Sequence, residues 1–223
     1  MHDRILIVDF GSQVTQLIAR RLRDAGFYSE IVPSTSDCNE YIEKKPKGII
    51  LSGGPNSVTK VDTPRAPDII WNGIPILGIC YGQQTLCEQL GGKVEANTKR
   101  EFGRARLEVI AECPLFHNLP KETDFDVWMS HGDHVSILPT DFVLSASTKS
   151  APIAAMEHKD KPYYALQFHP EVTHTNKGQK IIENFILGIC KSKKEWKLDD
   201  LIDNRINEIK AEAGAEKGLL GLS

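Results

Sequence analysis

Gly78-Ile79-Cys80-Tyr81-Gly82 decides how the rest of this chain is read. It has the form Gly-x-nucleophile-x-Gly and lies between an apolar run, Ile74-Pro-Ile-Leu-Gly-Ile79, and a helical pattern, Gln83 to Leu90. The run reads as a short, buried, parallel-type strand, so the chain must turn sharply at Cys80 on its way into a helix. A nucleophile elbow has this form: the flanking glycines are read as allowing a strained turn that displays the cysteine above the sheet edge. The helix N-terminus behind it favours a thiolate, because its unpaired N–H groups and dipole stabilise negative charge.

A nucleophile needs a base, and one is offered at His169-Pro170-Glu171, after a second strand-like run from Tyr163 to Phe168. Proline biases the residue before it toward extended geometry, where residues i and i+2 face the same side. His169 and Glu171 are therefore expected to point together. The carboxylate would hold one imidazole nitrogen and stabilise the imidazolium while the other nitrogen faces the thiol.

Outward from these two points the chain alternates strands and helices. Arg4 to Asp9, Phe27 to Val32 and Lys47 to Ser52 read as strands; Val14 to Leu22, Asp37 to Lys45 and Pro64 to Trp71 read as helices. That alternation predicts an α/β, doubly wound, mostly parallel central sheet with helices on both faces. Ligands of such sheets bind at the carboxyl ends of the strands, which would gather Asp9-Phe-Gly-Ser-Gln13, Ser52-Gly-Gly-Pro55 and Cys80. Backbone N–H groups of a glycine there and of Tyr81 would form an oxyanion hole; Ser12 is read as the cap of the first helix.

From about Gly92 short β-type runs follow at 104–110, 126–129, 142–147, 153–157 and 163–168, giving a small antiparallel extension that returns the chain to His169. Trp128-Met-Ser-His-Gly-Asp133 reads as a loop contacting substrate, with a plain hairpin turn as the alternative. His131, Asp133 and His134 lack the further ligands that a metal site needs. Lys177 to Cys190 reads as an amphipathic helix, and Leu198 to Ile209 as one face of another. Gly218-Leu-Leu-Gly-Leu222 reads as a strand with no partner in a finished domain, as though the chain were cut there.

Composition narrows the class. The chain has 223 residues, 30 acidic and 27 basic, for a net charge of -3, which recruits neither nucleic acid nor anionic membrane. No apolar stretch reaches transmembrane length and no signal peptide is evident, so a cytoplasmic protein is expected. The five cysteines, Cys38, Cys80, Cys87, Cys113 and Cys190, are scattered and read as reduced thiols.

With Cys80, His169 and Glu171 in place, the sequence resembles the class I (triad-type) glutamine amidotransferases, and within them the glutaminase domains of GMP synthetases. The resemblance rests on Asp9 to Gln13, Thr15 to Arg20, Leu51 to Pro55, Pro64 to Pro67, Gly78 to Gly82, Trp128 to Asp133 and Gln167 to Glu171, in order; Gln83 stands where that family usually has methionine. It implies a flavodoxin-like fold in which residues 1–192 form the glutaminase domain. Residues 193–223 would be a linker helix and the first strand of a truncated ATP-pyrophosphatase synthetase domain. It also implies that Cys80 attacks the amide of glutamine, His169 moves the proton, Glu171 orients His169, and the N–H groups of Gly54 and Tyr81 hold the oxyanion. Gln84, Gly132 and Asp133 would line the glutamine pocket. Ammonia would pass to the synthetase domain of the same polypeptide, which aminates XMP to GMP. ATP and Mg²⁺ would belong to that domain, leaving this chain without a cofactor. The alternatives are a glutaminase component of another class I enzyme, a γ-glutamyl hydrolase, a cysteine peptidase or chaperone-like protein sharing the elbow, and a non-catalytic regulatory module.

Overall fold

The computed structural model describes residues 2–119, 125–197, 206–207 and 209–211. In chain order it contains β1 (Arg4–Asp9), α1 (Thr15–Asp24), β2 (Tyr28–Pro33), α2 (Cys38–Glu43), β3 (Gly48–Leu51), β4 (Ile76–Ile79) and α3 (Tyr81–Gln89). The second half adds β5 (Lys93–Val109), β6 (Phe125–Ile137), β7 (Phe142–Ser147), β8 (Ala155–His158), β9 (Tyr163–Leu166) and α4 (Gly178–Glu183).

Alternation along β1 explains the layering. Ile5 and Ile7 pack with Ile18, Ala19 and Leu22 of α1 and with Ile181 and Ile182 of α4. Leu6 and Val8 pack on the opposite face with Tyr41 of α2 and Leu86 and Cys87 of α3. Every side chain of β1 from Ile5 to Val8 is thus buried, as a parallel strand covered by helices on both faces requires.

Among the described residues the strands form one mixed sheet in the order β2-β1-β3-β4-β9-β8-β7-β5-β6. The first five are parallel neighbours. Antiparallel pairing joins β9 through β8 and β7 to the β5–β6 hairpin, which holds the two longest strands. Because β1, β3, β4 and β9 run side by side in one direction, Asp9, Ser52, Cys80 and Gln167 emerge together at one sheet edge. Chain order reverses between β1 and β3, which opens the crevice that parallel sheets use for ligands.

Three expectations change. The helix expected from Pro64 to Trp71 is a single 3-10 turn, Asp68–Ile70. Pro67 is extended, at φ -63° and ψ 135°, and proline both lacks an N–H donor and disfavours helical geometry at Ala66 before it. Trp128 to Asp133 is neither loop nor turn: it lies inside β6, paired with β5 from Asp133 opposite Ala96 to Trp128 opposite Arg104. Turn-prone residues stay extended there because the ladder, with an irregularity between Ala96 and Glu101, engages their backbone. The helix expected from Lys177 to Cys190 is α-helical only to Glu183 and widens into a π-helical turn over Asn184–Ile189. In the tail, residues 206–207 and 209–211 are helical. The strand expected at Gly218 to Leu222 lies outside the described residues.

Candidate active site

Cys80 sits at the junction of β4 and α3 with φ 54° and ψ -105°, a conformation that L side chains rarely adopt. The strain therefore falls on the nucleophile itself. The flanking glycines serve close packing: a Cβ on Gly82 would lie 2.2 Å from the Leu51 carbonyl oxygen, and one on Gly78 would lie 2.7 Å from that of Gly82. Their role corrects the expectation that they supply the turn's backbone freedom. The Cys80 N–H donates to Leu166 O at 2.7 Å, tying the elbow to the end of β9.

That tie brings the residues after β9 over the nucleophile. His169 Nδ1 lies 2.7 Å from Glu171 Oε1, and both residues are buried, Glu171 completely. Burial works against the imidazolium, but the Glu171 carboxylate and the Cys80 side chain outweigh it and raise His169 well above the ordinary histidine value. His169 is thus set to hold a proton beside the sulfur. Its position is fixed by backbone as well. The His169 N–H donates to Trp128 O at 3.0 Å, and the Thr175 hydroxyl donates to His169 O at 2.6 Å while accepting from the Trp128 N–H at 3.0 Å. Arg21 Nε of α1 donates to Glu171 O at 2.9 Å.

The glycine pair after β3 closes a second side. A Cβ on Gly53 would lie 3.3 Å from His169 Cε1, 3.4 Å from Ser12 Oγ and 3.9 Å from Cys80 Cβ. One on Gly54 would lie 3.1 Å from Phe10 and 3.3 Å from the Tyr81 ring. Gly53 thus lies against His169 and the Cys80 side chain and Gly54 against the Tyr81 ring, while at the start of α3 the Tyr81 and Gly82 N–H groups precede Gln83 and Gln84, which both donate to Cys80 O. Donors so placed suit an oxyanion formed by attack at Cys80. Ser12 is not the helix cap: α1 starts at Thr15 with Val14 at the cap position, and the Ser12 hydroxyl, two residues earlier, accepts from the Val14 N–H at 3.2 Å.

The third side is β6. The Cys80 thiol faces Ser130 O at 3.6 Å, and Gln84 Nε2 donates to Asp133 O at 2.8 Å. Gly132 and Asp133 thus adjoin the site as strand residues, and the buried Asp133 Oδ2 has no hydrogen-bond partner. His131, Asp133 and His134 do not converge on a common point: His131 Nδ1 donates to Asp133 O and Nε2 faces Glu101 Oε2, each at 3.0 Å. Burial pulls the His131 pKa down against the attraction of Glu101. No group of three potential metal ligands occurs among the described residues.

Four cysteines, Cys80, Cys87, Cys113 and Cys190, are free and buried. Burial pushes the thiols of Cys87 and Cys113 up to about 12 and raises Cys190 as well, so these three are inert near neutral pH. Sequence reasoning gave no role to Ser130, Thr175 or Arg21, whose contributions run through main-chain contacts. Gln167 stands in the motif that carries His169 and Glu171, and its side chain reaches the sulfur at 3.9 Å.

Residues 6–189 match the model of the family described as Glutamine amidotransferase class-I. A GMP synthase [glutamine-hydrolyzing] of Hahella chejuensis is 50% identical over 228 residues, covering 99% of this chain but 43% of its own length. The chain thus spans less than half the length of such curated relatives. A solved structure from Thermoplasma acidophilum, named provisionally as one component of a GMP synthase, is 34% identical with a TM-score of 0.74. The match covers 93% of this chain and 98% of that one. A glutamine amidotransferase structure from Thermotoga maritima, 20% identical with a TM-score of 0.61, matches 95% of this chain and 93% of its own and supports the fold alone. Elbow, histidine–carboxylate pair, sheet order and sequence agree: the chain belongs to the class-I glutamine amidotransferase family.

Proposed function

We propose that this chain hydrolyses glutamine through a Cys80–His169–Glu171 triad and supplies the ammonia for amination of XMP to GMP by a synthetase domain. The observation that carries the chemistry is the 2.7 Å contact of His169 with a fully buried Glu171, beside a cysteine held at φ 54°. In the proposed reaction the sulfur attacks the side-chain amide carbon, and its proton passes to His169 and on to the leaving ammonia. The amides of Gly54 and Tyr81 stabilise the oxyanion, and water cleaves the γ-glutamyl thioester to glutamate. Gln84, Gly132 and Asp133 border the substrate side.

The choice of GMP synthesis rests on relatives of that name matching essentially all of this chain. Their greater length supports a partner domain in the same polypeptide, with residues 1–192 as the glutaminase unit and 193–223 leading onward. ATP and Mg²⁺ are assigned to that partner and no cofactor to this chain. No described helix is long and apolar enough to cross a membrane. A cytoplasmic location is consistent with four free cysteines.

The test is the intact mass of the chain after exposure to an electrophilic glutamine analogue, beside Cys80→Ser. One adduct on the wild type and none on the variant supports the reading. An adduct that persists in Cys80→Ser, or glutamate release by that variant, overturns it. Supply of XMP amination is tested in the full-length enzyme: Cys80→Ser should abolish GMP formation from glutamine and spare formation from added ammonium salts.

A further inference from the structure

A chain of buried amides joins β6 to the nucleophile, and its polarity is set by a single backbone carbonyl. Asp133 O only accepts, so the Gln84 atom 2.8 Å away is the nitrogen, Nε2. The same Nε2 lies 3.4 Å from the side chain of Gln167, whose facing atom must then be its oxygen. Gln167 is left with Nε2 toward Cys80 Sγ, at 3.9 Å. Gln167 has no exposed surface and Gln84 only 3%, so neither amide exchanges these partners for water. His131 Nδ1 donates to the same Asp133 carbonyl and fixes the far end.

The sulfur therefore meets opposite demands on two sides. As a thiol it donates toward Ser130 O at 3.6 Å; as a thiolate it has nothing to give that carbonyl and needs donors instead. Gln167 supplies one that cannot rotate away while Gln84 holds its oxygen. We propose that Gln167 is a positioning residue for the nucleophile: its amide, locked through Gln84 to the Asp133 carbonyl, holds the Cys80 thiolate in place. The inference extends the glutaminase reading, yet its central test does not use glutamine.

The titratable group set against the sulfur is His169, paired with Glu171, from the segment after β9. On β6, which meets the sulfur through the Ser130 carbonyl, His131 is taken up by the Asp133 carbonyl and Glu101, and Asp133 reaches Gln84 through its backbone. On the β1 side Asp9 is occupied by the Gly11 N–H and the Thr15 hydroxyl. Gln167 is uncharged, so its removal changes none of these charges and reads the hydrogen bond alone.

The experiment follows alkylation of Cys80 by iodoacetamide against pH, resolved at the level of the Cys80 peptide, for wild type, Gln167→Met and Gln167→Glu. Loss of one hydrogen bond to an ionised acceptor should raise the midpoint of thiolate formation by about one pH unit in Gln167→Met and slow labelling about tenfold below it. Gln167→Glu should raise it further, since a carboxylate held by Gln84 presents an oxygen to the sulfur. A side chain that merely fills space would lower the melting temperature and leave the midpoint where it was, and that result overturns the proposal. If Gln167→Met does not fold, Gln84→Met frees the Gln167 amide to rotate; an unmoved midpoint there overturns it equally. A shifted midpoint in a protein that never releases glutamate would sustain the role of Gln167 and refute the glutaminase reading, which keeps the two apart.

Discussion

Gly82→Ala is the substitution that most directly tests how the elbow is built. An alanine Cβ at this position would meet Leu51 O at 2.2 Å, Leu51 Cβ at 2.7 Å and Leu51 C at 2.8 Å. Relief to the 3.0 Å that real Cβ atoms keep means moving that carbonyl or the start of α3 by about 0.8 Å. The carbonyl belongs to β3, paired on both sides by β1 and β4, so rotation is blocked and the helix must lift. Overpacking of this kind costs about 1–3 kcal/mol. In a chain of 223 residues each of those lowers the melting temperature by about 2–4 °C. The effect on chemistry should be larger, because the lifted turn carries the Tyr81 amide and Gln84; a displacement near 1 Å lowers turnover by about a hundredfold. Thermal unfolding and glutamate release, measured on the same preparations, read both effects. Gly188→Ala is the control: it sits in the π-helical turn with nothing within 4 Å of the added carbon, and should be neutral or stabilising by up to about 1 kcal/mol. A Gly82→Ala protein that melts and turns over like the wild type would refute the packing argument.

Two further outcomes follow from the same contacts. Thr175→Val leaves the Trp128 N–H and the His169 carbonyl without their shared hydroxyl, and should cost about 1–3 kcal/mol in urea unfolding while lowering kcat more than KM; Thr175→Ser should restore both, and failure of that rescue would remove the hydroxyl from the account. The folded-state pKa of His169 is raised, so its proton contributes stability that is fully present below the unfolded value of about 6.5 and is lost as pH climbs through the folded value. The urea midpoints of wild type and His169→Gln should accordingly draw together as pH rises, and a gap that widens toward alkaline pH contradicts the sign.

Much of this was legible in the residues because local chemistry dictated it. The apolar runs of β1, β3 and β4 are buried on both faces, so burial and sequence say the same thing, and the elbow and the histidine–carboxylate pair announce themselves by type and spacing. The misreadings occur where the partner lies far along the chain. Turn-forming residues in Trp128 to Asp133 gave no sign that Ala96 to Arg104 would hold them extended. Pro67 is the exception, because its missing donor is visible in the sequence and argues against the helix expected around it. Thr175 and Gln167 act across 47 and 87 residues, through Trp128 and Cys80, and no local pattern encodes such contacts.

The backbone at Cys80 carries an evolutionary consequence. A non-glycine residue held at φ 54° and ψ -105° stores on the order of 1–3 kcal/mol, released only by a side chain with no Cβ. Stability by itself therefore favours losing the nucleophile. In a lineage where ammonia came from elsewhere and glutamine hydrolysis no longer mattered, glycine at this position would be the substitution that drift retains. The cysteine persists only under continuing selection for its chemistry.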